Sequence, residues 1–397
     1  VLAHNLHLAA KAGDSPQVET LLKRGANINA VEQYQTPIMR AIEEHQPETI
    51  RILLKHGADL HPRCDRENAP VDLLAYAAAV GDVESFRWLA SRTPSRDLTP
   101  LLGPAASSGN ADVVAYLLKN HVNINAPVNA HGETPLHLAA TAEVARMLVI
   151  AGADPNRRSQ KGDTPLHTTH DAEIAAMLVA DGAQVNARNH EGIAPLHLAA
   201  MHGDVNCATV LLEHGANVAV RDVFGQTPLH VCAGKAVANA LIAYGADIHS
   251  LDGKRKTPLH AAMRNNESEI AKLLIRHGAS MDARDIYGDR PLHELSFYSS
   301  KPQTADVLLR AGADINARNM SGQTTLYKTV AWQRLDCVMY LVEHNANVNI
   351  PDKSGATPLD IACRIDNHAI IDYLRRHGAR HAANSWEEIS PSARKVG

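Results

Sequence analysis

A chain of 397 residues exceeds what one hydrophobic core serves, because single cores stop growing near ~250–300 residues, so it needs several domains or an architecture that extends without a common core. Three Trp, nine Tyr and three Phe leave the packing to Ala and Leu, which suits thin, closely stacked helices. A formal charge of −4 without any run of five Lys/Arg argues against nucleic acid as the main partner, and the absence of an apolar stretch of about 18 residues, or of an apolar block within residues 1–15, argues against a membrane span or a signal peptide.

The first element opens on His4-Asn5-Leu6-His7 and closes on Gly25-Ala26-Asn27-Ile28-Asn29. Both phrases return along the chain. Thr-Pro-Leu-His stands at 134–137, 164–167, 227–230 and 257–260, with near copies at Ala194–His197, Arg290–His293 and Thr357–Asp360, and Gly-Ala-Asp-x-Asn recurs at Gly152–Asn156 and Gly312–Asn316. The physics of the phrase is local. Thr caps a helix start, and Pro takes the first turn, where its missing N–H costs nothing. Leu-x-Leu-Ala-Ala is a short helix with a narrow apolar face, Gly stops the second helix by turning left-handed, and the Asn/Asp/Gly-rich stretch after it is a β-turn finger. One such unit cannot bury its own apolar face, so neighbours must stack.

These phrases, in register over nearly the whole chain, resemble the ankyrin repeat. The resemblance implies an all-α solenoid of stacked helix-turn-helix units with short β-hairpin fingers, and a non-catalytic protein-interaction role. It also implies that the Thr-Pro-Leu-His histidine (His7, His137, His167, His197, His230, His260, His293) hydrogen-bonds within its turn and to the neighbouring unit. Aligning on the proline gives anchors at Asn5, Pro37, Leu73, Leu101, Pro135, Pro165, Pro195, Pro228, Pro258, Pro291, Thr325 and Pro358, hence twelve repeats over residues 1–382.

Lengths mark the irregular units. Anchor to terminating Gly is 20 residues in most repeats but 17 in repeats 5, 6 and 8, about one helical turn less near the helix-turn-helix junction. Gly57 to Leu73 is a long finger of 16, whereas Thr93 to Leu101 is only 8, so a finger-poor junction is expected at 91–100. Repeat 10 runs one residue long, Pro291 to Gly312 being 21. Beyond Gly378-Ala379 the pattern dissolves, and 383–397 is expected to be a flexible tail on which Trp386 and Ile389 could still dock.

Chemistry is sparse. Cys64, Cys207, Cys232, Cys337 and Cys363 form no CxxC pair and read as reduced packing cysteines of an intracellular protein, cytoplasmic or nuclear. His56, His214, His277, His344 and His377 stand at helix C-termini, where a partly charged ring is favoured. There is no HExxH, GxSxG, GxxxxGK[ST] or GxGxxG, so no catalytic residue, metal or cofactor is expected.

What remains is recognition. The resemblance places variable contact positions five, four and two residues before the anchor, on the finger, and six and seven after it, on the inner helix of a concave face. In repeats 1–6 these hold mostly small or charged residues, including Asp171. Later repeats place there Phe224, then Lys254, Lys256 and Arg264, then Ile286, Tyr287, Phe297 and Tyr298, then Met320 and Trp332, with Tyr327 where histidine normally stands. Two readings compete for this cluster. It repairs the distorted repeat 10 by packing on itself, or it anchors a protein partner with an apolar and an acidic portion. A monomer is expected. The alternatives are a substrate-recognition arm of a larger chain or complex, such as an F-box-type ubiquitin ligase adaptor with residues missing upstream of Val1, and an unorthodox enzyme or small-molecule binder using the groove.

Overall fold

The computed structural model describes residues 1–64, 71–92, 97–296 and 303–382, which gather into two compact units, Val1–His190 and Glu191 onward. Each unit is a stack of helix pairs. In the first, the leading helices Leu2–Ala12, Pro37–Glu43, Leu73–Val80, Leu102–Ser108, Pro135–Leu138 and Pro165–Thr168 pack one on the next in sequence order. In the second, Pro195–His202, Pro228–Val231, Pro258–Arg264, Pro291–Ser296, Thr325–Ala331 and Pro358–Arg364 do the same. Every leading helix packs on the second helix of its own repeat. The core is the Ala/Leu layer the composition demands, with Phe86 as a fully buried exception that meets Tyr116 edge-on at 5.6 Å.

The 17-residue repeats lose their turn at a definite place. Their leading helices, Pro135–Leu138, Pro165–Thr168 and Pro228–Val231, are four residues long against eight in Pro195–His202, while the second helices stay at nine. Position six after the anchor is therefore not a recognition position in these repeats. Asp171, expected on the recognition face, instead caps a second helix by accepting from the N–H groups of Glu173 and Ile174.

The Thr-Pro-Leu-His histidine works as the resemblance implies in the repeats that follow, whereas His7 of repeat 1 makes only the bond to the neighbouring finger, from Nε2 to the Ala30 carbonyl at 3.0 Å. His260 Nδ1 accepts the Thr257 backbone N–H at 3.1 Å, leaving Nε2 as the donor to the carbonyl of Asp289 in the next finger at 3.1 Å. His137, His197, His230 and His293 make the same pair of bonds. Tyr327 replaces this bridge with its hydroxyl, which donates to Asp352 Oδ2 at 2.8 Å. His214, His344 and His377 hold helix C-termini by donating Nδ1–H to the carbonyl four residues back.

The fingers are not β-hairpins: no strand forms among the described residues, and an isolated bridge joins Glu32 and Gln35. Each regular finger closes with one cross-finger backbone bond, as from Asp285 N–H to the Asp289 carbonyl at 3.0 Å, and one turn bond at its tip, as from Gly288 N–H to the Asp285 carbonyl at 3.0 Å, which together do not make a ladder. At the finger-poor junction, residues 93–96 lie outside the described residues, as do 65–70 of the long finger and the whole tail 383–397, Trp386 and Ile389 included. On the junction's described side, Asp97 accepts from Thr99 N–H, and the Thr99 hydroxyl accepts from Asn123 N–H at 3.2 Å.

Candidate functional site

The finger turns of repeats 8–12 share one device. The residue six before the anchor folds its side-chain oxygen back onto two N–H groups of its own loop. Asp222 accepts from Phe224 and Gln226, Asp252 from Lys254 and Lys256, Asp285 from Tyr287 and Asp289, Asn319 from Ser321 and Gln323, and Asp352 from Ser354 and Ala356, all at 2.7–3.0 Å. This turn consumes the carboxylate or amide oxygen inside the loop and turns the next two positions outward, Gly253 being without a side chain in finger 9. Asp352 shows the electrostatic result. Burial opposes its ionisation, but hydrogen bonds from the Ser354 and Tyr327 hydroxyls and the loop N–H groups outweigh it and hold the carboxyl below its usual range.

Successive tips are then tied backbone to backbone. Val223 N–H donates to the Glu191 carbonyl, Gly253 to Phe224, Ile286 to Lys254, Met320 to Tyr287 and Lys353 to Ser321, at 2.8–3.1 Å. Phe224, Ile286, Tyr287 and Met320 thus stand in one fixed row. Their exposures are 69, 42, 58 and 56%, and Trp332, at the far end of the repeat 11 leading helix, is 52% exposed. Arg264 occupies the corresponding helix end of repeat 9 and is exposed. These helix ends lie about 10 Å from the fingers at 1.5 Å per residue. Phe297 and Tyr298 lie outside the described residues.

Lys256 corrects the sequence expectation. It is not a recognition residue: its side chain is 13% exposed and its ammonium lies 2.6 Å from Glu294 Oε1. Position two before the anchor points into the stack, where only a paired charge is tolerated. The exposed cation of that finger beside Lys254 is Arg255, which the alignment did not single out.

Beneath the row lies a buried charge cluster. Asp285, Asp289 and Glu294 bring one oxygen each within 4.8 Å of one another, a spacing that could hold a metal. Two lysine ammonium groups already supply the positive charge: Lys256 on Glu294, and Lys328 on Asp289, which also accepts from Asn319 Nδ2 at 2.8 Å. Burial works against the Asp289 anion, but Lys328 and Asn319 outweigh it and keep its carboxyl below the ordinary range. The cluster locks fingers 10 and 11 together. Acid–base chemistry at the repeat histidines is also blocked, since both ring nitrogens of His137, His197, His230, His260 and His293 are committed to the main chain.

Away from the fingers, a groove of about 760 Å³ runs between second helices of repeats 9–11, bordered by Lys272, Arg276, Arg310 and Tyr340. The five cysteines are free thiols, four of them buried, and burial pushes the Cys232 thiol up to about 12. No described helix is long and apolar enough to cross a membrane.

Comparison with known proteins matches the family described as ankyrin repeats (3 copies) in six overlapping stretches, 6–97, 74–159, 141–222, 167–252, 229–319 and 295–385. The chain belongs to the ankyrin repeat family. Ankyrin repeats are generally protein-interaction modules, and no catalytic family is indicated. Among its relatives are Rabankyrin-5 of Mus musculus, 28% identical over 143 residues (35% of this chain, 12% of that protein), and Inversin of Canis lupus familiaris, 27% identical over 139 residues (35% and 13%). An ankyrin repeat protein of fowlpox virus, FPV031, is 36% identical over 152 residues (36% and 44%). The matches thus span less than half the length of each of these three proteins.

Proposed function

We propose that this ankyrin chain is a non-catalytic interaction scaffold that captures a protein partner on the fingertip row of repeats 8–12 and the adjoining helix ends. Phe224, Ile286, Tyr287 and Met320 form the tip contacts, and Trp332 and Arg264 the helix-end contacts. Phe297 and Tyr298, outside the described residues, are candidates for the same partner by sequence alone. The observation that carries this reading is the fixed row of outward apolar side chains. A buried aromatic covers ~150–250 Å², and holding several in water on rigid, hydrogen-bonded loops is the arrangement that marks an interface. Tyr287 and Met320 each keep more than half of their surface in water where they stand. The double variant Tyr287→Ser/Met320→Ser is expected to melt within about 2 °C of the parent, as surface changes do. It is also expected to lose most of the partner captured by the parent chain from its source cells. A drop in melting temperature of 5 °C or more assigns the cluster a packing role instead.

A further inference from the structure

Resting on that reading, we propose the chemistry and register of the partner: an acidic, apolar peptide in a left-handed extended (polyproline II) conformation that presents every third residue to the fingers.

Charge is the first argument. Along the row from finger 8 to finger 12 the exposed tip side chains are Val223 and Phe224, Lys254 and Arg255, Ile286 and Tyr287, Met320 and Ser321, then Lys353 and Ser354. Three are cations and none is an acid, because the aspartates of these turns spend their carboxylates on loop N–H groups. The exposed acidic tip Glu191, on the preceding finger, lies outside this stretch at its N-terminal end. The row therefore reads apolar, basic, apolar, apolar, basic, and its complement is apolar, acidic, apolar, apolar, acidic.

Spacing is the second argument. The fingers rise from leading helices that pack one on the next, so they repeat at about 8–10 Å. A β-strand returns a side chain to the same face every two residues, about 6.6 Å, which slips out of phase with the fingers. A polyproline II helix returns one every three residues, about 9.3 Å, and stays in phase across all five. Its backbone needs no partner ladder, which suits fingers whose tip N–H groups already donate to carbonyls of the neighbouring tips. The ligand that fits is thus a segment of about 13 residues, with apolar side chains facing fingers 8, 10 and 11 and carboxylates facing fingers 9 and 12, each contact three residues from the next, in either chain direction.

The test is selection of a random 16-residue peptide phage library on the full chain, with the Tyr287→Ser/Met320→Ser variant screened in parallel. Peptides that lose binding on the variant and carry acidic and apolar residues at three-residue spacing support the proposal. Finger-dependent peptides without that pattern overturn the partner chemistry and leave the scaffold reading standing. Peptides that bind both chains equally, or no enrichment, overturn both. For a synthetic consensus peptide, Lys254→Glu/Lys353→Glu is expected to weaken binding about tenfold or more, and replacing the peptide's acids by Lys is expected to restore part of that loss. Unchanged affinity in the charge-reversed chain overturns the proposed pairing.

Discussion

Gly288 stands at a close approach of fingers 10 and 11. Its φ is +73°, and a Cβ there would lie 2.8 Å from the Met320 backbone nitrogen, the atom that donates to the Tyr287 carbonyl. Gly288→Ala is expected to cost about 1–3 kcal/mol in urea unfolding and to weaken peptide capture beyond that of a control such as Gly312→Ala, which has open space at its Cβ. Equal effects of the two substitutions on capture would remove the finger register from the explanation. At this scale the sequence was partly legible. The glycines announce turns. The Asp or Asn six before the anchors of repeats 8–12 carries the more useful signal, because it predicts which neighbours face outward and, where it is Asp, removes a negative charge from the surface. Lys256 was misplaced for the same reason. Distance from an anchor does not say which face a side chain takes, and its partner Glu294 lies 38 residues away.

Among elements, the leading helices and the fingers behave differently. Helix lengths follow from counting: a 17-residue repeat gives a one-turn leading helix. Finger rigidity does not, because it depends on pairings across repeats. Lys328, on the repeat 11 helix, reaches Asp289 on finger 10, and Asn319 on finger 11 shares the same carboxylate. Removing the lysine leaves a buried carboxylate without its cation. Lys328→Met is expected to destabilise the chain by about 3–5 kcal/mol, measured by chemical denaturation, and adding Asp289→Asn is expected to recover part of that loss. A loss under about 1 kcal/mol for the single variant would mean that the loop amide Asn319 is enough to hold the anion. The composition of these repeats shows none of this coupling. Acidic and basic residues are both common in fingers, and only the stacking decides which of them meet.

For the whole molecule, the repeated histidine makes stability depend on pH in a definite direction. Burial lowers the pKa of His7, His137, His230, His260 and His293 below the usual 6.5, overriding the opposing pull of the carbonyls and carboxylates they face. The unfolded chain therefore takes up these protons first. Their stabilising contribution is fully present above about pH 6.5 and is lost as pH falls through their folded-state values, at about 1.4 kcal/mol per pH unit for each ring still neutral in the folded chain. The carboxylates held low, Asp289, Asp352 and Asp360, act in a separate window, since their unfolded counterparts are half protonated only near 3.8. Urea midpoints taken from pH 7.5 down to pH 4.5 should accordingly begin to fall near pH 6.5, well before the carboxylates titrate. His260→Gln should start less stable at pH 7.5 and show a shallower decline. A midpoint that stays flat to pH 4.5 would mean the rings are protonated in place, with Nδ1 turned from acceptor to donor against the Thr257 N–H. That bond could not survive, so the flat result would overturn the assigned tautomer and with it the account of how one repeat is tied to the next.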